Sequence, residues 1–123
     1  MNVATGLGLK VLQIADRGRL DQERVHLEVL RDCLGSFFVL LATVENTPGT
    51  ILAGNRPAFW FGGENFKMGD NIILYTKSGQ ASKSMRPDGH CNHFLYWGVN
   101  VAMFAHSVAK VVLAEINRWE TAG

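Results

Sequence analysis

His90-Cys91-Asn92-His93 is the densest grouping of metal-binding and nucleophilic side chains in this chain. Two imidazoles and a thiol so close together suggest a zinc site or an activated thiolate. The spacing works against both. In an extended segment successive side chains point to opposite faces, so His90 and His93 cannot share one ion without a bulge, and His90 turns away from Cys91. No second ligand pair at zinc spacing accompanies them, so a metal reading needs Asp88 and His90 to meet His26 or His106 in space.

Just upstream, Gly79-Gln80-Ala81-Ser82-Lys83-Ser84 is a partial echo of a phosphate-binding loop. That motif needs a glycine before the lysine and a helix after it, because loop amides and the helix N-terminus hold the phosphates. Here Ser82 precedes Lys83, and Met85-Arg86-Pro87-Asp88-Gly89 breaks any helix. No Gly-x-Ser-x-Gly elbow occurs. The carboxylates Glu28, Glu64, Asp70 and Asp88 fall where solvent-facing strand and turn residues are expected. The chain therefore offers no catalytic set, no cofactor motif and no metal set, and an enzyme built on His90, Cys91 and His93 is the weakest of the readings.

Binding is the chemistry that is left. Lys77, Lys83 and Arg86, interleaved with Ser78, Ser82 and Ser84, make residues 77–89 a basic, donor-rich loop suited to phosphate oxygens or an acidic partner. Tyr75, Tyr96 and Trp97 supply rings for stacking beside it, and a nucleic acid or other anionic ligand is the corresponding partner. The plain alternative is a solvated loop with aromatics packed in the core. A second candidate surface is apolar. Trp60, Met103 and Phe104 lie in short or irregular segments, and a protein partner or a second copy of the chain would cover them. The competing reading is that these segments cap the ends of the fold.

The elements that must position these residues are strands. Residues 9–14 alternate imperfectly and end at the turn signal Asp16-Arg17-Gly18. Residues 24–30 have period two, with Val25, Leu27 and Val29 on one face and His26 and Glu28 on the other. Residues 36–44 are apolar on both faces, which suits the centre of a sheet. Residues 45–57 form a long connection with a short strand at 50–53, and residues 59–61 a short aromatic strand. Residues 71–76 and 92–97 are the two clearest strands, separated by the polar loop 77–89. Residues 99–117 admit a helix, with Glu115 spoiling its apolar stripe, or an irregular loop followed by a last strand over 109–119. The second is favoured, giving an all-β fold of about seven strands; the alternative is α+β.

At 123 residues this is one domain, 1–123, and with 47% hydrophobic residues it can bury a core without staples. The net charge of +1 gives no global pull toward nucleic acid or membrane. Cys33 and Cys91 form no disulfide framework and read as free thiols in a reducing compartment. Residues 1–20 lack a cationic start followed by an apolar run, and the longest apolar run, 37–42, cannot span a bilayer, so a cytoplasmic location is expected.

The ordered pieces resemble the lamin tail domain family. Ile14-Ala15-Asp16-Arg17-Gly18 is similar to its opening strand and glycine turn, and Glu23-Arg24-Val25-His26-Leu27-Glu28 to its Glu-x-Val-x-Leu strand. Cys33-Leu34-Gly35-Ser36-Phe37 resembles its leucine turn. Residues 59–79 resemble its aromatic strand, Gly-Asp turn and strand into a Gly/Ser loop. Where the family continues through a tryptophan segment and a Gly-Asp, this chain has Met103-Phe104-Ala105-His106-Ser107. The resemblance covers most of residues 9–98. It implies an immunoglobulin-like antiparallel β-sandwich that acts as an interaction module, binding protein or DNA, with no catalytic residues to carry over.

Overall fold

Alternation does most of the architectural work. A computed structural model of the chain describes residues 6–123. The leader-peptide expectation rests partly on residues 1–5, which lie outside the described residues. Strand β1 (Leu9–Ala15) pairs antiparallel with β2 (Arg24–Val29), whose Val25, Leu27 and Val29 are buried as their spacing predicts. Then follow β3 (Cys33–Leu34), a single 3-10 turn at Gly35–Phe37, β4 (Phe38–Thr47), β5 (Thr50–Ile51), β6 (Ala58–Trp60) and β7 (Asn65–Phe66). The C-terminal half supplies β8 (Asn71–Tyr75), β9 (Ser82–Met85), β10 (Cys91–Tyr96) and β11 (Ala109–Glu115).

The protein is an all-β sandwich. One sheet has the order β1-β2-β8-β10-β9; the other is β11-β4-β5, with β6 also pairing β4, while β3 and β7 form a two-stranded bridge. Between the sheets lie Leu9, Val25, Leu27, Ile72 and Leu74 from the first and Phe38, Leu40, Ala42 and Ala109 from the second, with Phe61, Phe66 and Phe104 completing the core. Strand β4 is central to its sheet, as its two apolar faces require. No helix among the described residues is long and apolar enough to cross a membrane.

Over residues 99–117 the favoured reading holds: an irregular loop runs to β11, whose Val111 and Leu113 pack on the core while Glu115 takes the Gly8 N–H, at 3.0 Å, and pairs with Arg31. Two other expectations are corrected. Residues 77–89 are not all loop, because Ser82–Met85 pairs antiparallel with β10. And β8 and β10 depart from the expected antiparallel order. The two are parallel neighbours, with β10 seated between β8 and β9. A parallel pair needs a crossover connection, and residues 76–90 provide it.

Candidate functional site

The parallel register of β8 and β10 puts Tyr75 opposite Tyr96 on the outer face of the larger sheet. Their rings stack at 5.4 Å between centroids and 13° between planes. The Lys77 ammonium lies 5.1 Å from the centre of the Tyr75 ring. Gly79 lies against Tyr96, so close that a Cβ there would sit 2.4 Å from a ring carbon. Lys77, Tyr75, Tyr96 and Gly79 thus form one continuous stack, held by a cation–π contact of about 0.5–1 kcal/mol at such an exposed site and by ring stacking. Its consequence is a correction: Tyr75 offers no open face for a base. Trp97 is no platform either, since it turns inward against Phe59 (5.9 Å) and the buried Phe104 (6.4 Å).

The other two cations sit at the far end of the crossover. Lys83 ion-pairs with Glu64 at 3.2 Å. Arg86 donates to Asp88, to Asn92 Oδ1 (3.2 Å) and to the Gly69 carbonyl (2.8 Å), tying the β9–β10 turn to the turn before β8. The structure therefore brings Lys83 and Arg86 to the β9 edge and leaves Lys77 on the tyrosine stack.

Two of the four histidines, His90 and His93, approach Asp70, a turn residue expected at the surface. Asp70 is buried. Its Oδ2 lies 2.9 Å from His93 Nε2 and accepts the Lys67 N–H at 3.1 Å, and its Oδ1 accepts the Cys91 N–H at 2.9 Å. Burial raises the Asp70 carboxyl, but these hydrogen bonds and the imidazole outweigh it and its pKa lies below the ordinary value. His90 stands 3.9 Å from Asp70 and gives its backbone N–H to Asp88. His26 accepts a hydrogen bond from Arg24 at 3.1 Å, and burial together with that cation depresses its pKa. His106 is exposed, its carbonyl taken by Arg17. The scattered histidines are structural parts rather than one constellation.

Glu23 is a second buried carboxylate that its sequence context did not announce. It accepts from the Thr76 hydroxyl (2.5 Å) and from the N–H groups of Gly18 (2.9 Å), Met103 (2.8 Å) and Phe104 (3.1 Å). It therefore anchors residues 103–104, and the expected exposure of that segment is corrected. Phe104 is fully buried and Met103 is half-buried against the core. Neither belongs to an outward interface.

Trp60 does. It is 51% exposed, its indole N–H bonded to the Ser36 carbonyl at 2.8 Å and its ring edge-on to Trp119, itself 49% exposed. Register extends this patch across the outer face of the smaller sheet: Trp60 and Ala114 flank Val39, and Ala58 and Val112 flank Leu41. Every one of these residues is apolar. Beyond them the face deepens into a cavity of about 380 Å³ lined by Leu41, Thr43, Ile51, Leu52, Arg56 and Val112. The charges at this end are the Lys110–Glu45 pair and Arg56. Sequence reasoning found Trp60 but not its partners, which alternate with core residues on strands β4 and β11.

The larger sheet ends in β9, all four of whose residues are exposed. A smaller cavity, about 210 Å³, opens beside it, lined by Glu64, Ala81, Ser82, Lys83, His93 and Leu95. No protein-family model matches the chain, and no curated protein does.

Proposed function

We propose that this domain is a non-enzymatic interaction module that docks the outer face of the β11-β4-β6 sheet onto another protein, with a second copy of itself as the simplest occupant. One observation carries the reading: two half-exposed tryptophans continue into rows of exclusively apolar side chains, Val39, Leu41, Ala58, Val112 and Ala114. A sheet face solvated in a monomer carries polar residues throughout, whereas here they return only at Thr43 and Lys110, beyond the Val39 and Leu41 rows. With β4 ten residues long, β11 seven and β6 three, the footprint is roughly 300 Å² per copy. Two such faces bury roughly 600 Å², below the ~1,000 Å² of stable specific interfaces and in the range of transient ones. The association is accordingly weak and concentration-dependent.

The resemblance to lamin tail modules points the same way, since that family is mainly one of interaction domains. Nucleic acid is the less favoured partner, because the tyrosine faces that would stack bases are covered within the protein. The free thiols Cys33 and Cys91 support a reducing, cytoplasmic setting for the module. Sedimentation velocity from micromolar to millimolar concentration tests the proposal. The wild type should shift toward dimer with a blue shift in tryptophan emission, and Trp60→Asp should stay monomeric. A wild-type protein that remains a monomer at millimolar concentration sinks the self-association.

A further inference from the structure

Strand β9 has a partner strand on one side only. It is the last strand of its sheet, and all of its residues are exposed. The Arg86 N–H bonds the His90 carbonyl, and the register runs on through Ser84–Asn92 and Ser82–Phe94. In an antiparallel ladder hydrogen-bonded pairs alternate, so Ser82, Ser84 and Arg86 point their backbone groups at β10. Lys83 and Met85 point theirs outward, and these N–H and C=O groups have no partner among the described residues. The cavity of about 210 Å³ opens on the inner side of this edge, where Lys83 and the buried His93 stand opposite each other.

We propose that this edge is a second, separate docking site, which takes an extended acidic segment of a partner protein as an added antiparallel strand. Four backbone groups, the N–H and C=O of Lys83 and of Met85, supply the ladder, the mode by which strand addition gains affinity. The cavity receives the side chain opposite Lys83, which is where such sites gain specificity. Charge decides the chemistry of that side chain. Residues 77–86 carry Lys77, Lys83 and Arg86 and no acid, and of these Arg86 is paired within its own turn by Asp88, which leaves Lys83 as the cation on the edge itself. At the mouth of the cavity the Lys83 ammonium is held by Glu64, 3.2 Å away, whose carboxylate also lies 4.0 Å from His93 Nδ1. Glu64 thus stands where the carboxylate of an incoming strand would stand. A glutamate of the partner takes over Lys83 and displaces Glu64 into solvent. Lysine on an edge strand discourages pairing between like edges, which is consistent with a site reserved for an acidic strand.

The site is independent of the tryptophan face, and its test is independent too. A fluorescein-labelled octapeptide of alternating glutamate and threonine is titrated with protein by anisotropy, against a lysine–threonine octapeptide and an oligo-dT of similar length. The glutamate peptide should bind at least about tenfold tighter than the lysine peptide. Met85→Pro removes only an outward N–H, a substitution edge strands tolerate, and should abolish binding while circular dichroism shows the fold retained. Lys83→Glu should reverse the peptide preference. Glu64→Gln should tighten the glutamate peptide several-fold, a gain that a purely structural ion pair does not give. Trp60→Asp should leave peptide binding unchanged. Absence of glutamate-peptide binding at millimolar protein, or equal binding of both peptides, overturns the proposal. So does binding that survives Met85→Pro, or preferential capture of oligo-dT, since either would show attraction of anions to loose cations rather than strand addition.

Discussion

Glu23 and Thr76, separated by 53 positions in the chain, meet inside the protein with the threonine hydroxyl donating to the carboxylate at 2.5 Å. The same carboxylate holds the N–H groups of Gly18, Met103 and Phe104, so one side chain fastens the turn after β1, the end of β8 and the loop before β11. Glu23→Ala leaves four donors without their acceptor. The Thr76 and Phe104 bonds are buried and those of Gly18 and Met103 part-buried, so at about 1–2 kcal/mol for each dry donor the loss should be about 2–4 kcal/mol. Urea denaturation measures it, and a loss under about 1 kcal/mol would show that water replaces the carboxylate.

Acid should weaken the protein through the same groups. Burial raises Glu23, yet its hydrogen bonds outweigh that and leave its pKa below the ordinary value, as they do for Asp70. A carboxyl whose folded pKa lies below its unfolded one stabilises the fold at pH above the unfolded value and loses that contribution as pH falls through the folded one. The melting temperature should hold steady near neutrality and drop below about pH 4. Asp70→Asn should start lower and show a shallower acid slope. An equal slope in both proteins would remove Asp70 from the account.

Gly79 has ordinary backbone geometry, so Gly79→Ala tests sterics alone. The new methyl group would sit 2.4 Å from Tyr96 and must push that ring off Tyr75. The expected cost is about 1–3 kcal/mol, as for other overpacked sites. Near-ultraviolet circular dichroism should lose part of its tyrosine signal. Gly79→Ala with an unchanged spectrum and melting temperature would mean that the loop yields instead of the ring.

Phe104 and Trp60 looked alike in sequence and differ in the fold. Phe104→Ala empties a fully buried site and should cost about 3–5 kcal/mol. Trp60→Ala removes a half-exposed ring with one hydrogen bond and should cost about 1 kcal/mol in the monomer. Chemical denaturation at low micromolar concentration, where association does not contribute, separates them. Comparable losses would contradict the assignment of one to the core and the other to the surface.

What sequence could reveal followed burial. Val25, Leu27 and Val29 alternate because one face of β2 is dry, and that pattern placed the strand to within a residue. Strand β9 carries Ser-Lys-Ser-Met because both its faces are wet, so no periodicity marked it. The parallel order of β8 and β10 was hidden for the same reason, since it depends on the strand inserted between them in sequence. Asp70 and Glu23 were illegible for a different reason: a carboxylate is buried only when several donors converge on it, and apart from the local Lys67 and Gly18 N–H groups those donors lie 21 to 81 positions away. The basic residues were legible as a cluster in the chain. Their division between a tyrosine stack and a strand edge was set by the crossover.

That crossover also constrains the order in which the chain can assemble. Strand β10 lies between β8 and β9, but only its pairing with β9 is local, closed by the Arg86–His90 and Gly89–Arg86 backbone bonds. A hairpin of this kind forms in about 1–10 µs, whereas parallel pairing must wait for a longer closure. Strand β9 therefore works as a built-in escort: it covers one edge of β10 early and delivers it to β8 as a prepaired unit. In pulse-labelling hydrogen exchange the β9–β10 amides should be protected before those shared by β8 and β10. The reverse order would show that β10 finds β8 unaided.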